Sequence, residues 1–276
     1  MTLGRRLVAA LGLLATLLSA ASAQAGSGGP LFLPLVLLAP APAWPAVGGA
    51  NVAERSHSAF LVDLHFTWAK GFADPDDREN PYGPWKNVDN QLDAFLQVQE
   101  GQPRVRHVLL RIPGGYTSPP LDRLDDFQAR LEDLARHVRL RYRGPGQLQT
   151  VAYEIWNEPN LRAEWGWRNP SPTEYLSLLQ AGYRGIKAGD PQALVVHAGL
   201  STGGDYDDLA FLQAVYAGGG AVWFDVLGSH PYGGASPPDT KAGPIYFRRA
   251  EEQRAVMVQH GDEATPVWAT EMGWIV

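Results

Sequence analysis

The chain has 276 residues, 45% of them hydrophobic, enough to bury a sizeable core in one barrel-sized domain or two small ones. Its formal charge is −6 with acidic and basic residues interspersed, which leaves no basic patch to draw nucleic acid or an anionic membrane surface. It has no cysteine, which excludes a disulfide framework, thiolate catalysis, cysteine-ligated metal and a lipidated cysteine.

At the N-terminus, Arg5 and Arg6 precede an apolar run from Leu7 to Ser19 and the small residues Ala21-Ser22-Ala23. This is the pattern of an export signal, so residues 1–23 are expected to be a signal peptide, with secreted protein starting near Gln24. The apolar run is short of the roughly 20 residues that a membrane-spanning helix needs. Residues 24–47 are rich in Gly, Pro, Ala and Leu, and their prolines forbid a continuous helix, so they read as a linker.

From Gly48 onward, apolar runs alternate with amphipathic ones. The strand candidates are His65 to Phe72, Val105 to Ile112, Thr150 to Trp156, Ala193 to Leu200, Trp223 to His230 and Pro266 to Trp274, with a poorer first strand near Val47 to Val52. Between the second and third of these runs, Leu121, Leu124, Phe127, Leu131, Leu134 and Val138 recur at the steps of one helix face. A further helix is expected to start at Ser171-Pro172 with Glu174 completing a capping box, and to stop before Asp190-Pro191. Strand and helix in repeated alternation describe an α/β fold with a parallel sheet, either doubly wound or a (β/α)8 TIM barrel.

No Gly-rich turn follows an early strand, so neither a dinucleotide fingerprint nor a phosphate loop is present. Polar residues collect instead at the C-terminal ends of separate strands: Arg111, Asn157 with Glu158, His230 with Tyr232, and Glu271. In a barrel those ends converge on one mouth. Val267, Ala269 and Glu271 share a parity, so an inward Val267 and Ala269 would carry Glu271 inward too. Asn-Glu-Pro also fits a helix start, but Trp156 beside it and a partner carboxylate motif about 110 residues on, room for three βα units, favour chemistry. His65, His107 and His197 lack metal-ligand spacing and read as packing or surface residues.

Two motifs carry a family resemblance. "EIWNEPN", Glu154 to Asn160, resembles the strand-4 signature of clan A glycoside hydrolases, the group containing families 5 and 39, and "VWATEMGW", Val267 to Trp274, resembles their strand-7 signature. The resemblance runs from about Gly48 to the end and implies a (β/α)8 barrel in which Glu158 is the general acid/base and Glu271 the nucleophile. Retention takes two carboxyl groups about 5 to 5.5 Å apart, one protonated and one ionised, and no cofactor or metal. It implies further that Asn157 binds the sugar 2-hydroxyl and that His230 and Tyr232 form a His-x-Tyr pair after strand 6. Trp274, with Trp165 and Trp167, is expected from its aromatic face to offer stacking to a carbohydrate substrate. Arg111 and Lys70 compete for the place of the cation beside Glu271.

Counting strand 1 near Gly48 puts Glu271 on strand 7, with no sequence left for the last βα unit. The expectation is a barrel missing that unit, with open edges on strands 1 and 7. Two functions remain open: a secreted retaining glycosidase acting on a β-linked saccharide, and a non-catalytic carbohydrate-binding remnant of one.

Overall fold

Seven strands, all parallel and each hydrogen-bonded to its neighbour in chain order, form one sheet: β1 Gly49–Asn51, β2 Trp68–Phe72, β3 His107–Arg111, β4 Thr150–Ile155, β5 Leu194–His197, β6 Val226–Ser229 and β7 Val267–Ala269. Five helices fill the crossovers from β2 onward: α1 Lys86–Phe95, α2 Leu124–Tyr142, α3 Pro172–Gly189, α4 Asp208–Ala217 and α5 Arg249–Gln259. This is a computed structural model, and it describes residues 49–51, 66–96, 105–113, 118–241, 243 and 245–273. The expected signal peptide and linker lie outside those residues, as do His65 and Trp274.

Local chemistry accounts for the helix limits. The Ser171 hydroxyl accepts the Glu174 N–H at the start of α3, Pro172 occupies the first turn, and the chain leaves the helix at Asp190, whose N–H closes on Ile186 O. Only half of the expected capping box forms, because the Glu174 carboxylate is taken by Trp165 Nε1 at 3.2 Å and Arg168 at 2.7 Å. Helix α2 carries Asp125 and Asp126 in its first turn and Arg139 and Arg141 in its last, matching the helix dipole at both ends.

The two faces of the sheet do different work. On β3 and β4, Val108, Leu110, Val151, Tyr153 and Ile155 point outward into one core with Leu131, Leu134, Val138, Leu178 and Leu179 of α2 and α3. The alternate residues Leu109 and Ala152 join Val196 and Val226 in a smaller apolar layer on the inner face. Above that layer the inner positions turn polar: Lys70, Arg111 and Glu154 follow one another across β2, β3 and β4.

The sheet curls. Laid flat, β2 and β7 would stand five strand spacings apart, about 24 Å. Yet the rings of Trp68 and Trp268 meet edge-on with centroids 5.0 Å apart, and Lys70 Nζ reaches Thr270 O at 3.2 Å. The curl carries the end of β7 back over β2, β3 and β4. Among the described residues β1 pairs only with β2 and β7 only with β6, so the curled sheet is open between them.

Candidate active site

The segment after β4 is held in a conformation that side chains disfavour. Trp156 and Glu158 both have left-handed backbone angles, φ 80° and 37°, each worth on the order of 1–3 kcal/mol of strain. Three anchors hold it. Trp156 Nε1 donates to Glu164 O at 2.7 Å, and its ring meets the fully buried Trp165 edge-on. Glu158 N donates to Gly199 O at 3.1 Å. Asn160, wholly buried, spans to the loop after β5: its amide donates to Ser201 O and Tyr206 O at 2.8 and 3.0 Å and accepts from Ser201 N at 2.9 Å. The result points Glu158 into the mouth rather than along a continuing strand.

Glu271 reaches the same mouth by a route that the strand parity did not foresee. On β7 it is Trp268 that packs into the inner layer, while Val267 packs outward and Ala269 is exposed. The strand ends at Ala269, the chain bends, and Thr270 turns inward to Glu154 with Glu271 following it over the mouth. Contrary to the expected alternation along β7, the bend after the strand aims the carboxylate. Glu271 Oε1 receives Lys70 Nζ at 3.1 Å and Arg111 at 3.3 Å, and Oε2 accepts from Tyr232 OH at 3.0 Å. Both cations thus take the place for which they competed. Burial works against the charge of Glu271, but His230 and Lys70, with the hydrogen bonds from Lys70 and Tyr232, hold its carboxyl below the usual range.

His230 sits between the two carboxyls, entirely buried. Its Nδ1 lies 2.9 Å from Glu158 Oε1 and 3.8 Å from Glu271 Oε2. The nearest oxygens of Glu158 and Glu271 are therefore less than about 7 Å apart. Burial lowers the pKa of His230, but the nearby Glu154 carboxylate, the hydrogen bond to Glu158 and the charge of Glu271 outweigh it and raise it to about 9. The surrounding carboxylates thus favour the imidazolium form. Gly199 leaves room for this ring, since a Cβ there would lie 2.1 Å from His230 Cδ2.

The structure brings together Arg111, Asn157, Glu158, His230, Tyr232 and Glu271. Asn157 Oδ1 accepts from Arg111 at 2.7 Å, and Arg111 is braced by lying 4.8 Å over the Phe72 ring. Trp167 is 63% exposed and free to present its face. Trp165 is not: it is fully buried between Trp156 and Tyr175, so the expected sugar-stacking role is corrected to a core role. His107 and His197 are packing residues, stacked on Trp68 and wedged against Tyr175 respectively. Two residues were not singled out from the sequence. Glu154 is a charged side chain in an otherwise apolar strand, a signal that was available. Glu164, whose carboxyl burial pushes up, sits in a loop with no pattern to mark it.

An open, curled parallel sheet carries one carboxyl after its fourth strand and one after its seventh, and this fold is similar to that of solved glycoside hydrolases built on TIM barrels. Among solved structures, a family 39 glycoside hydrolase from the gut symbiont Bacteroides cellulosilyticus WH2 matches with a TM-score of 0.57 at 18% identity, over 82% of this chain and 48% of that one. A family 39 β-xylosidase from Caulobacter crescentus matches with a TM-score of 0.53 at 20% identity, over 82% and 52%. A curated β-xylosidase of Geobacillus stearothermophilus is 27% identical over 137 residues, 50% of this chain and 26% of that protein. No family model matches the chain. The chain spans about half the length of these solved relatives and about a quarter of the curated one.

Proposed function

We propose that this chain is a retaining glycoside hydrolase acting on a β-linked oligo- or polysaccharide, with Glu271 as nucleophile and Glu158 as acid/base. The observation that carries the reading is the shared contact of both carboxyls with His230 Nδ1, which keeps them within one sugar's width at the mouth. Glu271, surrounded by Lys70, Arg111 and Tyr232 and held ionised, attacks the anomeric carbon. Glu158 protonates the departing oxygen, then takes a proton from the water that releases the sugar. Asn157 binds the 2-hydroxyl and Trp167 stacks on a neighbouring sugar, a reading supported by the Arg111 hydrogen bond that orients Asn157 and by the exposure of Trp167. The curled sheet is read as the greater part of a (β/α)8 barrel, and the Arg5-Arg6 and Ala21-Ser22-Ala23 pattern as the mark of a secreted or cell-envelope enzyme.

Product stereochemistry tests the two roles separately, with an aryl β-xyloside as first substrate because relatives on both comparisons are named β-xylosidase. Glu271→Gly is expected to abolish turnover, with added azide restoring it as a glycosyl azide of inverted configuration. Glu158→Ala, given a leaving group that departs without protonation, is expected to accumulate the glycosyl-enzyme in a burst, and azide then to release product of retained configuration. If both variants give the same configuration, or neither loses activity, the roles are wrong and a carbohydrate-binding function replaces the enzyme.

A further inference from the structure

We propose that Glu154 is a positioning residue for both carboxyls of the mouth, acting through Lys70 on Glu271 and through His230 on Glu158. The assignment rests on the roles proposed above for Glu158 and Glu271. Glu154 lies on β4, four residues before Glu158, and is completely buried. Its own position is set by the frame: Oε1 accepts from Gly199 N after β5 at 3.2 Å and from Thr270 Oγ1 after β7 at 2.7 Å. Two cations then bridge outward from it. Lys70 Nζ stands 2.9 Å from Glu154 Oε2 and 3.1 Å from Glu271 Oε1. His230 turns Nε2 toward Glu154 Oε1, at 3.7 Å, and Nδ1 toward Glu158 Oε1, at 2.9 Å. One buried anion therefore holds the group that touches each of the two mouth carboxyls.

Charge decides why this arrangement matters. An ammonium and an imidazolium that are both buried keep their charge only when paired, and neither catalytic carboxyl can serve as a permanent partner while changing its own protonation or bonding. Glu154 is off the reaction path and stays ionised: burial opposes its charge, but Lys70 and His230 outweigh burial and hold it far below the usual carboxylate range. The titratable groups facing it are Lys70 from β2, His230 after β6, His197 from β5 and Tyr175 from α3. Those facing His230 are Glu154, Glu158 and Glu271, with the Tyr232 ring beside it. Glu271 faces Lys70, Arg111, His230 and Tyr232, and Glu164 lies within electrostatic range.

Glu154→Gln in the full chain keeps the shape and removes the charge. Followed by NMR of the histidine rings, His230 is expected to lose its proton at least about one pH unit lower in the variant, a tenfold change in the protonated fraction. In kinetics, kcat is expected to fall about ten- to a hundredfold with KM nearly unchanged, because Glu154 touches the reacting groups only through others. A residue that merely stabilised the fold would lower the denaturation midpoint and leave both the His230 titration and the kcat of folded protein alone. Should Glu154→Gln fail to fold, Lys70→Met/Glu154→Gln removes both partners of the buried pair and carries the same His230 titration. An unmoved His230 titration in either folded variant, or wild-type kcat in Glu154→Gln, overturns the proposal. Absence of turnover in the wild type together with a shifted His230 would instead overturn the glycosidase reading and leave the coupling of Glu154 to His230 standing.

Discussion

His230 shows how one side chain ties function to stability. Its pKa rises from 6.5 to about 9 on folding, so the imidazolium contributes stability that is fully present below the unfolded value and is lost as pH rises through the folded one. The difference corresponds to about 3 kcal/mol for a group so thoroughly buried. Chemical denaturation is expected to show stability falling by about that amount between roughly pH 6.5 and 9.5, and His230→Gln is expected to remove that slope. A flat wild-type profile across the window would mean that the ring is neutral, with its hydrogen bond to Glu158 kept and no ionic link to Glu154.

At the scale of the element, the segment from Trp156 to Trp165 is a strained turn paid for by its anchors. Asn160 is the most economical of them, closing three hydrogen bonds to the backbone of the next loop from a wholly buried position. Asn160→Ala leaves Ser201 N and the Ser201 and Tyr206 carbonyls without that partner, and each buried group left unmade costs about 1–3 kcal/mol. A loss of about 2–4 kcal/mol in urea denaturation is expected, with activity falling further than stability because Glu158 loses its aim. A variant that unfolds at the wild-type midpoint would show that the turn is held by Trp156 and Trp165 alone. The same element explains what could be read in advance. The Asn-Glu-Pro signature and its strand were visible as pattern, and Ser171 as a cap, because each depends on neighbours in sequence. Burial of Trp165 was not visible, since what covers it is Tyr175 of α3 and Trp156 across the turn.

At the scale of the molecule, everything in the site depends on the curl that brings β7 over β2 to β4. The edge-on contact of Trp68 with Trp268 is a direct link across that curl, outside the hydrogen-bonded ladder. Substituting either tryptophan by alanine is expected to cost about 2–4 kcal/mol. The double variant is expected to cost less than the sum by about 1 kcal/mol, since each single change already removes the shared contact. Strict additivity would place the strength of the curl in the strand ladder and the polar contacts of Lys70 instead.

The sequence alone determined the alternation of strand and helix, the parallel sheet and the identity of the two carboxylate motifs, because hydrophobic period, caps and short motifs are local and each strand and helix carries its own. Only the tertiary structure decided how those motifs meet. It aimed Glu271 by a bend after β7 rather than by strand parity, admitted both Lys70 and Arg111 to the place that one cation was expected to fill, and set Glu154 beneath the pair. Each of those outcomes joins residues on different strands through space, from Lys70 on β2 to Thr270 after β7. Such pairings follow from how far a sheet twists and curls, a quantity summed over all its strands and written in none of them.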